Sequence, residues 1–158
     1  MKIEIYTDGS CSGNPGPGGW AAVILTPKDI IKKAGFEANT TNNRMELLAV
    51  INAVRFAAKQ GLHKTYHIYS DSSYVVNAVN KDWIKKWKER KWKTVKNEDV
   101  KNKDLWLILI DLLQEVKHNN FKTIRIIKVK GHSFDIYNNL ADKLAKEQVS
   151  KEMAQQAI

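Results

Sequence analysis

The stretch that decides the fold is residues 6–20, YTDGSCSGNPGPGGW, in which a run rich in glycine and proline separates two apolar stretches. Before this run, residues 2–7 alternate polar and apolar side chains, as a half-buried strand does. After it, residues 20–26 form an apolar run, and residues 30–38 follow a turn at Pro27-Lys28-Asp29. The chain therefore predicts three successive strands at its start.

The apolar period changes to that of a helix after Asn43, where Leu47, Val50, Ile51 and Val54 lie on one face and Gly61 is a plausible stop. The remaining pattern predicts a strand at 65–70, a helix at 72–79, a basic segment, a helix at 104–117, a strand at 123–129 and a last helix carrying Leu140, Leu144 and Ala145. The predicted order is βββαβαααβα, with a tail after Glu147.

Length and composition indicate one domain. A chain of 158 residues with 43% hydrophobic content can build a single core. Its longest apolar run, residues 105–113, is interrupted by Asp111 and is shorter than the roughly 20 residues of a membrane span. The single cysteine, Cys11, fits a reducing compartment, and the alternating start does not resemble a secretory signal. We expect a cytoplasmic monomer with no membrane association.

Charge points to a polyanionic partner. The chain carries 26 Lys and Arg against 17 Asp and Glu, a formal +9. Residues 81–103 hold ten basic and four acidic residues, so this segment alone contributes +6, and Trp83, Trp87 and Trp92 are interleaved with its lysines. Lysines that serve only solubility are the alternative, but their concentration in one segment favours a basic, aromatic protrusion.

Two carboxylates follow predicted strands. Asp8 comes directly after the first strand and Asp71 directly after the strand at 65–70. If these strands are parallel neighbours, the carboxylates converge at the carboxyl edge of the sheet, where ligand sites form. Taken singly, Asp8-Gly9 is as consistent with a turn, and Asp71-Ser72-Ser73 with a helix N-cap.

Two more carboxylates lie on predicted helices. Glu46 is in the first turn of the helix that begins near Asn43 and leans toward the sheet, although an early glutamate also suits the helix dipole. Asp142 borders the packed stripe of the last helix, where an ion pair with Lys143 or Lys146 is the alternative. Four converging carboxylates would suit hard divalent cations, which prefer several oxygen ligands.

Beyond these carboxylates, the surrounding motifs resemble type 1 ribonuclease H. They are residues 6–20, TTNNRMEL at 40–47, SDSSYV at 70–75, and KVKGH at 128–132 followed by Asn138 and Asp142. The resemblance covers about residues 2–147 and gives a ribonuclease H domain at 1–147, with the basic protrusion at 81–103 and a C-terminal tail at 148–158. It implies an α/β, ribonuclease H-like fold: a five-stranded mixed sheet with helices on both faces.

The resemblance also implies an activity. The enzyme would be an endoribonuclease that cuts the RNA strand of RNA/DNA hybrids, largely regardless of sequence, and leaves 5′-phosphate and 3′-hydroxyl ends. Asp8, Glu46, Asp71 and Asp142 would hold two Mg²⁺ ions, with Mn²⁺ as a possible substitute. His132 would assist proton transfer or product release, which an imidazole can do near neutral pH, although a lone loop histidine is also a common surface residue.

Further residues are expected to bind the hybrid. The resemblance implies minor-groove contacts from Cys11, Asn14, Asn42 and Asn43 and a DNA phosphate held by Thr41 and Asn102, while turn and helix-cap chemistry is the alternative for the asparagines. Trp83 would contact the DNA strand, and Trp87 and Trp92 would anchor the protrusion. The other expected contacts are Ser73, Lys85, Lys86, Lys88 and Asn138.

The sequence departs from the family pattern in three places, one of which is Asn139, which replaces a common glutamate. Ser73 stands where many relatives carry glutamine, and residues 133–137, SFDIY, replace an expected loop with glycine or proline. Two other functions stay open: a non-catalytic hybrid-binding module, and a nuclease of the integrase or junction-resolving type. The four carboxylates with His132 favour catalysis, and the asparagines and basic protrusion favour a hybrid substrate.

Overall fold

The structure, a computed structural model, describes residues 2–60, 64–118, 122–130 and 135–157. Its elements follow the predicted order. They are β1 (Lys2–Cys11), β2 (Gly16–Leu25), β3 (Ile30–Thr40), α1 (Asn42–Lys59), β4 (Lys64–Ser70), α2 (Ser73–Asn80), α3 (Trp83–Glu89), α4 (Lys103–His118), β5 (Lys122–Lys128) and α5 (Ile136–Gln156).

The five strands form one mixed sheet in the order β3-β2-β1-β4-β5. The pairs β1/β2 and β2/β3 are antiparallel, whereas β1/β4 and β4/β5 are parallel. Because β1 and β4 are parallel neighbours, their carboxyl ends meet at one edge of the sheet. This confirms the predicted mixed sheet.

Helices cover both faces of this sheet, as predicted. The main core packs α1 and α4 against one face and includes the fully buried Ile5, Leu47, Ile68 and Trp106. A smaller cluster on the other face joins Tyr6 and Val23 of the sheet to Ala141 of α5. Alternation along β1 therefore places Ile3 and Ile5 toward α1, and Tyr6 and Asp8 toward α5.

Strands β1 and β2 extend further into the glycine-rich stretch than the sequence pattern predicts. Asp8 lies within β1 and pairs with Ala21, rather than following the strand. The physical reason is packing: a Cβ on Gly19 would come within 2.3 Å of the Ala145 carbonyl oxygen of α5. The glycine allows α5 to lie directly on the sheet instead of ending the strand.

The basic segment contains only the seven-residue helix α3 before the chain becomes irregular. Five non-glycine residues of the segment have positive φ: Asp82, the N-cap of α3, and then Lys91, Trp92, Asn97 and Asn102. The rings of Trp87 and Trp106 lie 5.3 Å apart, and those of Trp87 and Trp92 lie 6.0 Å apart. Trp87 and Trp92 therefore anchor the protrusion to α4, as predicted.

Helix α5 continues through Gln156, so the predicted boundary at residue 147 falls inside a continuous helix. Val149 and Glu152 are both buried on this extension, and Gln156 donates a hydrogen bond to Glu152 over 3.2 Å. Residues 148–156 are thus a packed part of the fold. Within the described ranges, no helix has the length and apolarity needed to cross a membrane.

Candidate metal centre

Three carboxylates converge at the carboxyl edge of β1 and β4. Asp8, Glu46 and Asp71 each offer an oxygen, and these oxygens all lie within 4.8 Å of one another. Asp8 and Glu46 are buried, at 6% and 4% exposed, and Asp71 is half-buried. Such a group can hold a cation that enters from the side of Asp71.

The local fold explains how the three residues meet. Asp71 directly follows β4, next to the strand that carries Asp8, because β1 and β4 run in parallel. Glu46 is the fifth residue of α1, which begins after the N-cap Thr41, so it lies in the second turn rather than the predicted first turn. A Cβ on Gly9 would meet the Glu46 backbone nitrogen at 2.4 Å, so only glycine lets α1 approach this closely.

Burial and mutual repulsion disfavour charge on these groups. Burial, and then the neighbouring Asp71 carboxylate, raise the pKa of Asp8 from 3.8 to about 7. Burial first, and then Asp8 and Asp71, raise the pKa of Glu46 well above its ordinary value. Asp8 and Glu46 therefore keep their protons to higher pH than ordinary carboxyl groups do.

The donor set fits a hard divalent ion. Among the described residues, the buried Glu46 Oε2 has no hydrogen-bond partner. An unpaired buried carboxylate oxygen is costly unless a cation compensates it. Three carboxylate oxygens within 4.8 Å of one another, on residues that include Glu46, are the kind of donor set that Mg²⁺ and Mn²⁺ prefer.

The fourth carboxylate, Asp142, lies beside this group but outside the tight cluster. Its Oδ2 lies 3.0 Å from Nζ of Lys146, the ion pair that the sequence allowed as an alternative. Its carboxyl group also raises the pKa of Asp8, so the two side chains are neighbours. Asp142 therefore lies close to Asp8 and pairs with Lys146.

The predicted phosphate and groove residues, with the exception of Cys11, line one cavity of about 560 Å³ beside α1, the helix that carries Glu46. Its lining comprises Asn14, Thr41, Asn42, Asn43, Tyr74, Lys101 and Asn102. Thr41 Oγ1 accepts the Arg44 N–H over 3.2 Å as the N-cap of α1, and Asn14 Oδ1 accepts the Asn42 N–H over 3.1 Å. Thr41 and Asn14 thus make helix-cap and loop hydrogen bonds and also line a polar pocket.

The other predicted contacts differ in accessibility. Ser73 and Lys85, Lys86 and Lys88 are exposed, and Trp83 is half-buried with its ring 6.4 Å from that of Trp87. Cys11 Sγ donates to the carbonyl oxygens of Gly16 and Thr40, each over 3.4 Å, which ties it to the loop. Asn138 is only 5% exposed, so little of its surface is available to a substrate. His132 lies outside the described residues.

Sequence reasoning missed three residues of this region. Tyr74 and Lys101 line the cavity, and the Tyr74 hydroxyl accepts hydrogen bonds from Asn102 Nδ2 over 3.3 Å and Trp106 Nε1 over 2.9 Å. Arg44 makes a bidentate ion pair with Asp104 at 3.0 and 2.7 Å, which joins the start of α1 to α4. Their sequence signal was only adjacency to predicted residues, because the contacts join distant parts of the chain.

Comparisons with known proteins agree with this geometry. Residues 1–150 match the family described as RNase H. The ribonuclease H of Caldanaerobacter subterraneus subsp. tengcongensis is 49% identical over 150 residues, which cover 94% of this chain and 92% of the relative. That of Acetivibrio thermocellus is 47% identical over 150 residues, covering 95% and 96%. Among solved structures, this chain is similar to LC9-RNase H1, a type 1 RNase H with the type 2 active-site motif. The two are 28% identical in sequence and superpose with a TM-score of 0.76. The match covers 96% of this chain and 73% of that chain.

Proposed function

The chain belongs to the ribonuclease H family and is a ribonuclease H, and on this premise we propose that it cuts the RNA strand of RNA/DNA hybrids at a two-metal centre. The products would be 5′-phosphate and 3′-hydroxyl ends. The observation that carries the proposal is the cluster of Asp8, Glu46 and Asp71, whose oxygens lie within 4.8 Å of one another.

These residues would divide the binding of two Mg²⁺ ions, or of Mn²⁺ in their place. Asp8, Glu46 and Asp71 would hold one ion, and Asp8 together with Asp142 the other, since Asp142 neighbours Asp8 but stands outside the tight cluster. Bound divalent ions supply a water of lowered pKa and stabilise the leaving oxygen of a phosphodiester. Asp8 would thus be the residue common to both sites.

The protein's own contribution is to keep the carboxylates close before a substrate arrives. Gly9 lets α1 lie directly against β1, and the parallel pairing of β1 with β4 places Asp71 beside Asp8. Preorganised charge lowers the reorganisation that the reaction requires. We assign proton transfer or product release to His132, which the family resemblance supports.

The hybrid would be gripped by surfaces separate from the carboxylates. Thr41 and Asn102 would hold a DNA phosphate in the 560 Å³ cavity, where Lys101 adds positive charge, and Asn14, Asn42, Asn43 and Cys11 would face the minor groove. Amide groups suit groove edges because they donate and accept hydrogen bonds. Ser73 and Asn138 remain proposed contacts at the margin of this surface.

The basic protrusion would bind the DNA strand. Lys85, Lys86 and Lys88 are exposed on α3, next to the half-buried Trp83. Lysine contacts to phosphates carry little sequence information, so binding and cleavage should be nearly independent of sequence and sensitive to salt.

We further propose that the enzyme acts as a cytoplasmic monomer. All four proposed metal ligands come from one chain, which supports a site that needs no second copy. The single cysteine supports a reducing compartment.

The test is a panel of labelled duplexes: RNA/DNA hybrid, double-stranded RNA and double-stranded DNA, each with Mg²⁺ or with a chelator. We expect cleavage of the RNA strand of the hybrid alone, only with metal, giving fragments that carry 5′-phosphate. Cleavage of the other duplexes, or cleavage that survives chelation, would overturn the proposed mechanism.

A further inference from the structure

Asp135, one of the residues that replace the expected loop, links α5 directly to the strand that carries Asp8. Asp135 is the N-cap of α5, and its Oδ1 accepts the N–H groups of Tyr137 and Asn138 over 2.8 and 3.2 Å. Its other oxygen, Oδ2, accepts the hydroxyl of Tyr6 over 3.1 Å. One carboxylate thus caps the helix and fastens it to β1.

The Tyr6 side chain is buried and packed between other aromatic rings. Its side chain is 7% exposed, and its ring stacks on Tyr69 with centroids 4.7 Å apart and planes inclined at 22°. The ring of Tyr137, in the first turn of α5, lies 5.8 Å away. The Tyr6 hydroxyl is a donor in the neutral pH range, as a phenol ordinarily is, and it donates to Asp135 Oδ2 over 3.1 Å.

The hydrogen bond between Tyr6 and Asp135 joins the same strand and helix that carry Asp8 and Asp142. Tyr6 precedes Asp8 by two residues, so both side chains lie on the face of β1 that packs against α5. Asp135 precedes Asp142 by seven residues, about two helical turns, and Asp142 neighbours Asp8. The same strand and helix are therefore joined at Tyr6 and Asp135, and they meet again at Asp8 and Asp142.

We propose that Tyr6 and Asp135 are positioning residues that set where α5 lies along β1 and so hold Asp142 within reach of an ion bound at Asp8. Gly19 fixes how closely α5 approaches the sheet, because its missing Cβ leaves room for the Ala145 carbonyl. Gly19 thus allows the short distance between α5 and the sheet, whereas the Tyr6 hydrogen bond restrains sliding of the helix. The inference rests on the proposed function, since it assigns Asp142 to a metal ion.

A matched control is available in the same stacked pair. Tyr69 donates its hydroxyl to Glu4 Oε2 over 2.7 Å, within the sheet rather than to α5. Tyr6→Phe and Tyr69→Phe therefore remove one partly buried hydroxyl each from neighbouring rings. A purely structural role predicts similar losses of stability for both variants and no difference in metal binding.

The experiment is calorimetric titration of the whole, substrate-free protein with Mn²⁺, alongside urea unfolding, for wild type, Tyr6→Phe, Tyr69→Phe, Asp142→Asn and Tyr6→Phe/Asp142→Asn. We expect Tyr6→Phe to weaken Mn²⁺ binding three- to tenfold and Tyr69→Phe to change it less than twofold. In the Asp142→Asn background, Tyr6→Phe should change binding less than twofold, because the residue it positions is already lost.

The outcomes separate the two claims. Equal Mn²⁺ affinities for Tyr6→Phe and Tyr69→Phe, or a Tyr6→Phe effect that persists undiminished in the Asp142→Asn background, would overturn the positioning role alone. Absence of Mn²⁺ binding by the wild type would overturn the proposed function as well. Asp135→Asn keeps a helix-capping oxygen but has one carbonyl oxygen to serve both roles, so it should weaken Mn²⁺ binding in the same direction as Tyr6→Phe.

Discussion

The ammonium of Lys146 lies 3.0 Å from Oδ2 of Asp142, one turn along the same face of α5. The pair is accessible to solvent, with the lysine side chain 59% and the aspartate side chain 36% exposed. Exposed ion pairs of this kind contribute about 0 to 1 kcal/mol to the stability of the folded protein. A divalent ion can therefore displace Lys146 from Asp142 at modest cost.

Removing this competitor should strengthen metal binding. We expect Lys146→Met to lower the dissociation constant for Mn²⁺ by roughly two- to fivefold. This change corresponds to an ion-pair energy of up to about 1 kcal/mol, which the metal ion no longer has to overcome. Lys143→Met is the control, because it removes the same charge from the same helix at an exposed site. Equal changes in both variants would mean that net charge, rather than the ion pair, governs affinity.

The stability of the metal-free protein should fall as pH rises. Between the ordinary pKa of 3.8 and the folded value of about 7, folded Asp8 keeps a proton that the unfolded chain releases. The stability from this proton is complete below the ordinary pKa and is lost as pH rises through the folded value. In urea unfolding with chelator at pH 8, we expect the free energy of unfolding of Asp8→Asn to exceed that of the wild type by roughly 1 to 3 kcal/mol. At pH 5 the difference should be smaller.

The exposed Asp29 supplies the control for this measurement, since Asp29→Asn removes a carboxylate far from the cluster. Its unfolding free energy should follow that of the wild type at both pH values. If Asp8→Asn were less stable than the wild type at pH 8, the charged cluster would not be a source of strain.

Gly9 should be essential because α1 lies against it. A Cβ there would meet three backbone atoms of Met45 and Glu46 at 2.4 to 2.9 Å, so Gly9→Ala must displace the helix that carries Glu46. We expect hybrid cleavage to fall about 100-fold or more, since misplacing a catalytic group by about 1 Å has this effect, with a stability loss of about 1 to 3 kcal/mol.

Gly35 offers a comparison away from the site. Its Cβ would meet the Trp20 ring at 2.6 Å on the outer strands, so Gly35→Ala should cost stability while cleavage stays within about threefold of wild type under folding conditions. Similar activity losses in both variants would show that overpacking acts through global stability alone.

The exposed lysines of α3 should govern affinity rather than the cutting step. We expect Lys85→Ala/Lys86→Ala/Lys88→Ala to weaken hybrid binding and to reduce the slope of log affinity against log salt by roughly 1 to 3, about 0.9 for each phosphate that no longer binds a lysine. Cleavage at saturating hybrid should change little. The control is Lys28→Ala/Lys32→Ala/Lys33→Ala, which removes three exposed lysines around β3 and should retain the wild-type slope. If both triple variants reduced the slope equally, the effect would come from net charge.

The order of the elements was predictable because each signal is local. Alternation marks β1, helical spacing marks α1, and a helical connection between parallel strands brings Asp8 and Asp71 to one edge. The predicted convergence of carboxylates followed from these rules together. Their approach to within 4.8 Å did not, because it depends on α1 packing directly on Gly9.

The structure differs from the sequence-based prediction where contacts between distant parts of the chain determine local structure. Glycine signals led to an early end for β1, whereas α1 and α5 use Gly9 and Gly19 as contact points. The last turns of α5 bury Val149 and Glu152, a face with too few apolar residues to be recognised as helix from sequence. Likewise, the spacing of Asp135 and Tyr6, 129 residues apart, carries no signal that they are hydrogen-bonded.

The most direct test of the proposed site compares cutting with binding in Asp8→Asn. Because this variant should be at least as stable as the wild type, lost activity could not be attributed to unfolding. With labelled RNA/DNA hybrid and Mg²⁺, we expect cleavage to be abolished while the dissociation constant for the hybrid stays within a few-fold of wild type. Retained cleavage, or equal loss of cleavage and binding, would contradict a catalytic metal centre at Asp8.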